Sequence, residues 1–109
     1  MFKINPAPTF RAKVPLTVPG EDARAVVEFE FRHKGRTAFA TWWDSIGERD
    51  DPAVLADVIV SWTGVIDDKG AEVPFSADVL AQVLDNYPAS AFDILGAYRR
   101  ALWESREKN

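Results

Sequence analysis

The chain holds a single histidine, His33, and no cysteine. An imidazole serves as a general base only beside a nucleophile and an orienting partner, and as a metal ligand only in company. His33 lies between Arg32 and Lys34, where an alternating run ends, so its position reads as an exposed strand end. Asp67, Asp68 and Glu72 suggest a calcium loop. The spacing D-x-[DN]-x-[DN]-G with a glutamate at position twelve is absent, so these residues read as a turn around Gly70. Asp50-Asp51 reads as a helix cap. Glu28 and Glu30 fall on one strand face, as an acid/base pair would, but Lys13 and Arg11 are their expected partners. No GxxxxGK[ST], GxGxxG or GxSxG pattern occurs, and without thiols there is no Cys nucleophile or thiolate metal site. No catalytic, cofactor-binding or metal-binding residue is expected, and no cofactor.

What remains is aromatic. Four Trp, seven Phe and two Tyr in 109 residues are generous. Trp42 and Trp43 are adjacent, about 100° apart on a helix, so one of them lies at the edge of the shared apolar face. Trp103 falls beside the stripe of the last helix, and tryptophan at an exposed edge often marks an interface. Trp62 is expected in the core. Phe10, Phe31, Trp42, Trp43 and Trp103 are the candidate partner-binding residues.

The elements that position them follow from periodicity. Phe10, Ala12, Val14, Leu16 and Val18 alternate with Thr9, Arg11, Lys13, Pro15 and Thr17, the period of a half-buried strand. Pro15 cannot donate to a ladder, which suits an edge. After the turn residues Pro19-Gly20-Glu21-Asp22, a second alternation sets Ala25, Val27, Phe29 and Phe31 against Val26, Glu28, Glu30 and Arg32. Folding at 19–22 places Val14 opposite Val27, Ala12 opposite Phe29 and Phe10 opposite Phe31. It also sets Lys13 beside Glu28 and Arg11 beside Glu30. One register satisfies both faces.

Beyond Gly35 the period changes to that of helices. Phe39, Trp42, Trp43 and Ile46 form one stripe, with Thr37 as N-cap and Gly47 as stop. Asp51-Pro52 starts a second helix whose stripe is Val54, Leu55, Val58, Ile59 and Trp62, ending at Gly64. Residues 65–75 form a loop with a tight turn at Asp67-Asp68-Lys69-Gly70. Ser76 caps a third helix bearing Val79, Leu80, Val83, Leu84 and Tyr87, with Phe75 and Leu80 as a hydrophobic staple. Pro88 opens a last helix through about Arg106, with Glu107 to Asn109 frayed. The expected fold is α+β, an N-terminal antiparallel β-hairpin followed by a bundle of about four α-helices. Residues 1–109 read as one domain, with the hairpin at about 9–32 and the helical body at about 37–106.

Composition bounds the function classes. The chain is 47% hydrophobic and 28% charged, ordinary for a globular protein, with net charge −4. Residues 1–43 carry seven Lys/Arg against four Asp/Glu, and residues 44–109 carry six against thirteen. An acidic chain with interleaved basic residues is a poor nucleic-acid binder. No apolar run approaches the length of a membrane span, and the first residues lack the apolar stretch of a signal peptide. The expected location is the cytoplasm.

Trp62-Thr63-Gly64-Val65-Ile66-Asp67-Asp68-Lys69-Gly70-Ala71-Glu72-Val73-Pro74-Phe75-Ser76, followed by a helix that ends in Tyr87-Pro88, resembles the tail assembly chaperones of long-tailed bacteriophages and prophages. The motif residues are Trp62, Gly64, Asp67, Gly70, Val73, Pro74, Phe75, Ser76, Tyr87 and Pro88. Each also has a structural job, so the resemblance implies a shared scaffold rather than a mapped binding site. It further implies a non-enzymatic protein of the bacterial cytoplasm. Such a protein binds the hydrophobic tape measure protein before the tail tube polymerises. A minor structural protein of the tail, or another prophage-encoded interaction module, is the competing expectation. Self-association is expected where apolar surfaces lack a client.

Overall fold

The computed structural model describes residues 1–104. Three strands, β1 (Thr9–Leu16), β2 (Ala25–Arg32) and β3 (Ile59–Thr63), form an antiparallel sheet in that order. Four helices, α1 (Arg36–Asp44), α2 (Asp51–Ala56), α3 (Ala77–Asn86) and α4 (Ser90–Trp103), complete the α+β architecture.

The β1–β2 register is the one the two alternations demand. Phe10 pairs with Phe31, Ala12 with Phe29 and Val14 with Val27, while Arg11 lies opposite Glu30 and Lys13 opposite Glu28. The apolar face carries Ala12, Val14, Val27, Phe29 and Phe31, all buried. The polar face is held by side-chain bonds. The Thr9 and Ser61 hydroxyls donate to Glu30 at 2.9 and 3.0 Å. Arg11, rather than Lys13, reaches Glu28, with Nε 3.3 Å from the carboxylate. Exposed pairs of this kind contribute about 0–1 kcal/mol, so the buried face sets the register.

The second helix is the main correction. It stops at Ala56, and Ile59 to Thr63 return to the sheet as a third strand on β2. Trp62 pairs with Phe29 and Ser61 with Glu30, but Ile59 pairs with Phe31, so Val60 is an extra residue and the strand is bulged. The bulge puts Ile59 and Trp62 on the same face three residues apart, which imitates helical spacing. The run Val58-Ile59-Val60 also favours a strand through its β-branched side chains. A hairpin alone is marginal, and the third strand gives the sheet its second neighbour.

Other boundaries shift slightly. Gly35, not Thr37, is the N-cap of α1, and Gly47 lies inside a 3-10 turn, Ile46–Glu48, that follows it. Asp50, one residue before the expected cap, accepts the Ala53 N–H at 2.9 Å. Ser76 caps α3 as expected, accepting from Val79 at 3.1 Å. The last helix begins at Ser90 and ends at Trp103; the expectation for Ser105 to Asn109 lies outside the described residues.

The helices join the sheet through one apolar cluster rather than packing only on each other. α4 packs along β1, and α2 lies against α3. One apolar cluster joins Phe29, Phe31, Leu55, Ile59, Trp62, Leu80, Ile94 and Tyr98. Leu84 and Leu95 pack at its margin. The Asp93 carboxylate accepts the Thr17 N–H at 2.8 Å and ties the start of α4 to the end of β1.

Candidate functional site: an aromatic ledge and an apolar groove

Tyr98 organises one end of the molecule. It is fully buried, and its hydroxyl donates to the Arg32 carbonyl at 2.7 Å. Burial pushes its pKa well above the ordinary phenol range, so the hydroxyl stays a donor. Its ring lies 4.9 Å from Phe31, 5.4 Å from Trp42 and 6.1 Å from both Phe10 and Phe39. Trp42 Nε1 donates to the Val54 carbonyl at 3.1 Å, which fixes α1 on α2.

Two tryptophans rise above this packed base. Phe39 stacks with Trp43 at 5.5 Å on one side and meets Trp103 edge-on at 4.7 Å on the other. Trp43 is 41% exposed and Trp103 51%. The Arg99 guanidinium carbon lies 5.8 Å from the Trp103 ring centre, within cation–π range. The result is a ledge of two part-exposed indoles on a buried phenyl ring, contributed by α1 and the C-terminal end of α4.

This geometry sorts the five expected partner-binding residues. Trp43 and Trp103 present open surface. Phe10 is half-buried over the core. Phe31 and Trp42, also candidates for partner binding, are buried, so Trp43 is the one of the adjacent pair at the edge. Phe31 belongs to the inner face of β2, which α4 covers, and Trp42 turns inward because its indole N–H finds a carbonyl there.

The motif residues build a second region. Trp62 Nε1 donates to the Val73 carbonyl at 2.8 Å and its ring meets Phe75 edge-on at 5.0 Å. Asp67 Oδ1 accepts from the Lys69 and Ala71 N–H groups at 2.9 and 3.0 Å, closing the turn. Gly64 and Gly70 adopt φ of 105° and 82°, where a side chain is strained. Glu72 accepts the Gly64 N–H at 3.0 Å. Pro74 leads into the Ser76 cap. The carbonyl of Tyr87, just before Pro88, accepts the Ser90 hydroxyl at 2.7 Å. These bonds lock the loop between β3 and α3 and the turn into α4.

Behind that loop, α3 stands away from the sheet. The gap is an open groove of about 750 Å³ lined by Leu16, Val18, Val27, Val65, Val79 and Val83, with Asp67, Asp68 and Lys69 also in its lining. Sequence reasoning missed it because Val79 and Val83 read as part of one buried stripe. The available signal was the stripe's width. Of that stripe, Leu80 alone is fully buried, which leaves Val79 and Val83 only partly covered.

His33 is exposed, and no group of three His, Asp or Glu capable of holding a metal occurs among the described residues. Glu30, with its carboxyl held below the usual range mainly by the Thr9 and Ser61 hydroxyls, is bound into the sheet surface. No helix among the described residues is long and apolar enough to cross a membrane.

A search of curated proteins and a search of solved structures each return no match. A family model described as phage tail assembly chaperone matches residues 1–109, the whole chain. The match agrees with the motif from Trp62 to Pro88, and the chain belongs to the phage tail assembly chaperone family.

Proposed function

We propose that this chain is a non-enzymatic chaperone that binds the tape measure protein and keeps it soluble during tail assembly, in the cytoplasm of the bacterial host. The family match over residues 1–109 supports the role. The observation that carries the binding mode is the ledge of Trp43 and Trp103. A client rich in apolar surface is retained by covering that surface, and rigid indoles do so at small entropic cost. The proposal treats residues 1–109 as one domain, which the continuity of one apolar cluster across sheet and helices supports.

Co-expression with a tape measure protein tests the role. The expected result is soluble tape measure protein that co-purifies with this chain and is insoluble without it. Equal solubility with and without the chain contradicts the proposal. Retention of the chain in finished tails would identify a structural tail component instead.

A further inference from the structure

The helix α4 turns one flank inward, where Ile94, Ala97 and Tyr98 are buried. At about 100° per residue, Phe92, Gly96, Arg99 and Trp103 fall within about 60° of one another on the opposite flank. Their spacing is i, i+4, i+7, i+11, a second stripe that the core does not use. Phe92 is 75% exposed, and it lies about 17 Å from Trp103 along the helix axis. The Trp103 indole of the ledge is thus one end of a line three turns long.

Gly96 sits mid-helix with no reason internal to the fold. It is helical, without the positive φ of Gly64 and Gly70. Outside the helix backbone, a Cβ at this position would meet only the Arg100 guanidinium, 3.2 Å away at the end of a flexible side chain. Glycine weakens a helix interior relative to alanine. What it supplies is a notch in the outer flank, between Phe92 on one side and Arg99 and Trp103 on the other. Such a notch lets a second backbone come close, as ridges of one helix fit grooves of another.

Charge and backbone chemistry define the occupant. Arg99 lies on the line and Arg100 beside it, and neither forms an ion pair among the described residues, whereas Arg11 and Arg49 do. The flank of a helix offers no free backbone donors or acceptors, because its own turns use them. A segment laid on that flank has to satisfy its own backbone, which a helix does and an extended strand does not.

We infer that the outer flank of α4 receives one amphipathic α-helix of the client, which crosses at Gly96, sets apolar side chains against Phe92 and Trp103 and places a carboxylate on Arg99. The inference rests on the client reading above. It adds the form of the bound segment and a second anchor, Phe92, beyond the ledge.

Gly96→Leu closes the notch while favouring the helix, since Arg100 can turn aside. Capture of the tape measure protein should fall at least about tenfold, with the thermal midpoint unchanged or raised. Phe92→Glu repeats the test at an exposed side chain, without altering the helix backbone, and should weaken capture to a similar degree. A photoreactive benzoylphenylalanine in place of Phe92 then marks the bound segment, which mass spectrometry identifies. That segment should carry apolar residues at i, i+4 and i+7 with an Asp or Glu among them. As a synthetic peptide it should gain helical circular dichroism on binding. Arg99→Glu should weaken the peptide at least about tenfold, and changing the peptide's carboxylate to lysine should restore affinity. Full capture by both Gly96→Leu and Phe92→Glu overturns the inference and leaves the client reading standing. Cross-links scattered along the client, or made to a second copy of this chain, do the same, as does an Arg99→Glu defect that the lysine peptide leaves unrepaired. Failure of the wild-type chain to capture the tape measure protein overturns both.

Discussion

The two ends of the sheet's inner face are filled differently. At one end, Tyr98 sits within 6.1 Å of four other rings, Phe31 of β2 and two rings of α1 among them. At the other, valines from β2, the loop and α3 face each other across an open groove. The sheet is common to both. Aromatic side chains span the distance between sheet and helix and carry polar tips that find carbonyls, as Tyr98 and Trp42 do. Valine is too short to fill the same gap, so α3 packs on α2 and a groove stays open between it and the sheet. One end is rigid and displays its outermost rings, whereas the other is held by a hydrogen-bonded loop and stays open.

That contrast predicts a graded response to substitution. Tyr98→Ala removes the centre of the ring cluster and its bond to Arg32, and should cost about 3–5 kcal/mol in chemical denaturation. Leu80→Ala, fully buried between the ends, should cost about 2–5 kcal/mol. A cost below about 1 kcal/mol at Tyr98 would break the comparison. Gly70→Val imposes a side chain on a backbone with φ of 82° while touching nothing, so about 1–3 kcal/mol of strain alone is expected. Val83→Ala on the open groove should cost about 1 kcal/mol or less, because little packing is lost there.

The smallest effect is electrostatic. The Glu30 carboxyl is lowered chiefly by the Thr9 and Ser61 hydroxyls, with a further contribution from Arg11. A carboxylate whose folded pKa is depressed adds stability above its unfolded pKa and loses it as pH falls through the folded value. Thermal denaturation should therefore show stability falling on acidification below the ordinary carboxylate range. Glu30→Gln should flatten that dependence slightly.

Much of the sheet was legible because period two leaves little choice. A one-residue slip of β1 on β2 would expose Phe29 and Phe31 and bury Glu28 and Glu30. The Ser76 cap and the Asp67 turn were legible from local side-chain chemistry. The third strand was not, since the bulge at Val60 gives Ile59 and Trp62 the spacing of a helix. The ledge was half legible. Trp103 lies outside its helix stripe and is exposed, but adjacent Trp42 and Trp43 could not be ranked from sequence. Their order depends on which indole finds a buried carbonyl, a tertiary fact. The groove was hidden because periodicity marks which side chains are apolar, not whether a partner reaches them.

The most direct test measures affinity for the tape measure protein in Trp43→Glu with Trp103→Glu, beside Ile66→Lys at the groove, with circular dichroism confirming that both remain folded. The ledge variant should lose capture by at least about tenfold, equivalent to about 1.4 kcal/mol, while the groove variant retains it. Full capture by a folded ledge variant, with loss confined to Ile66→Lys, would contradict the assignment of the client surface to the aromatic end.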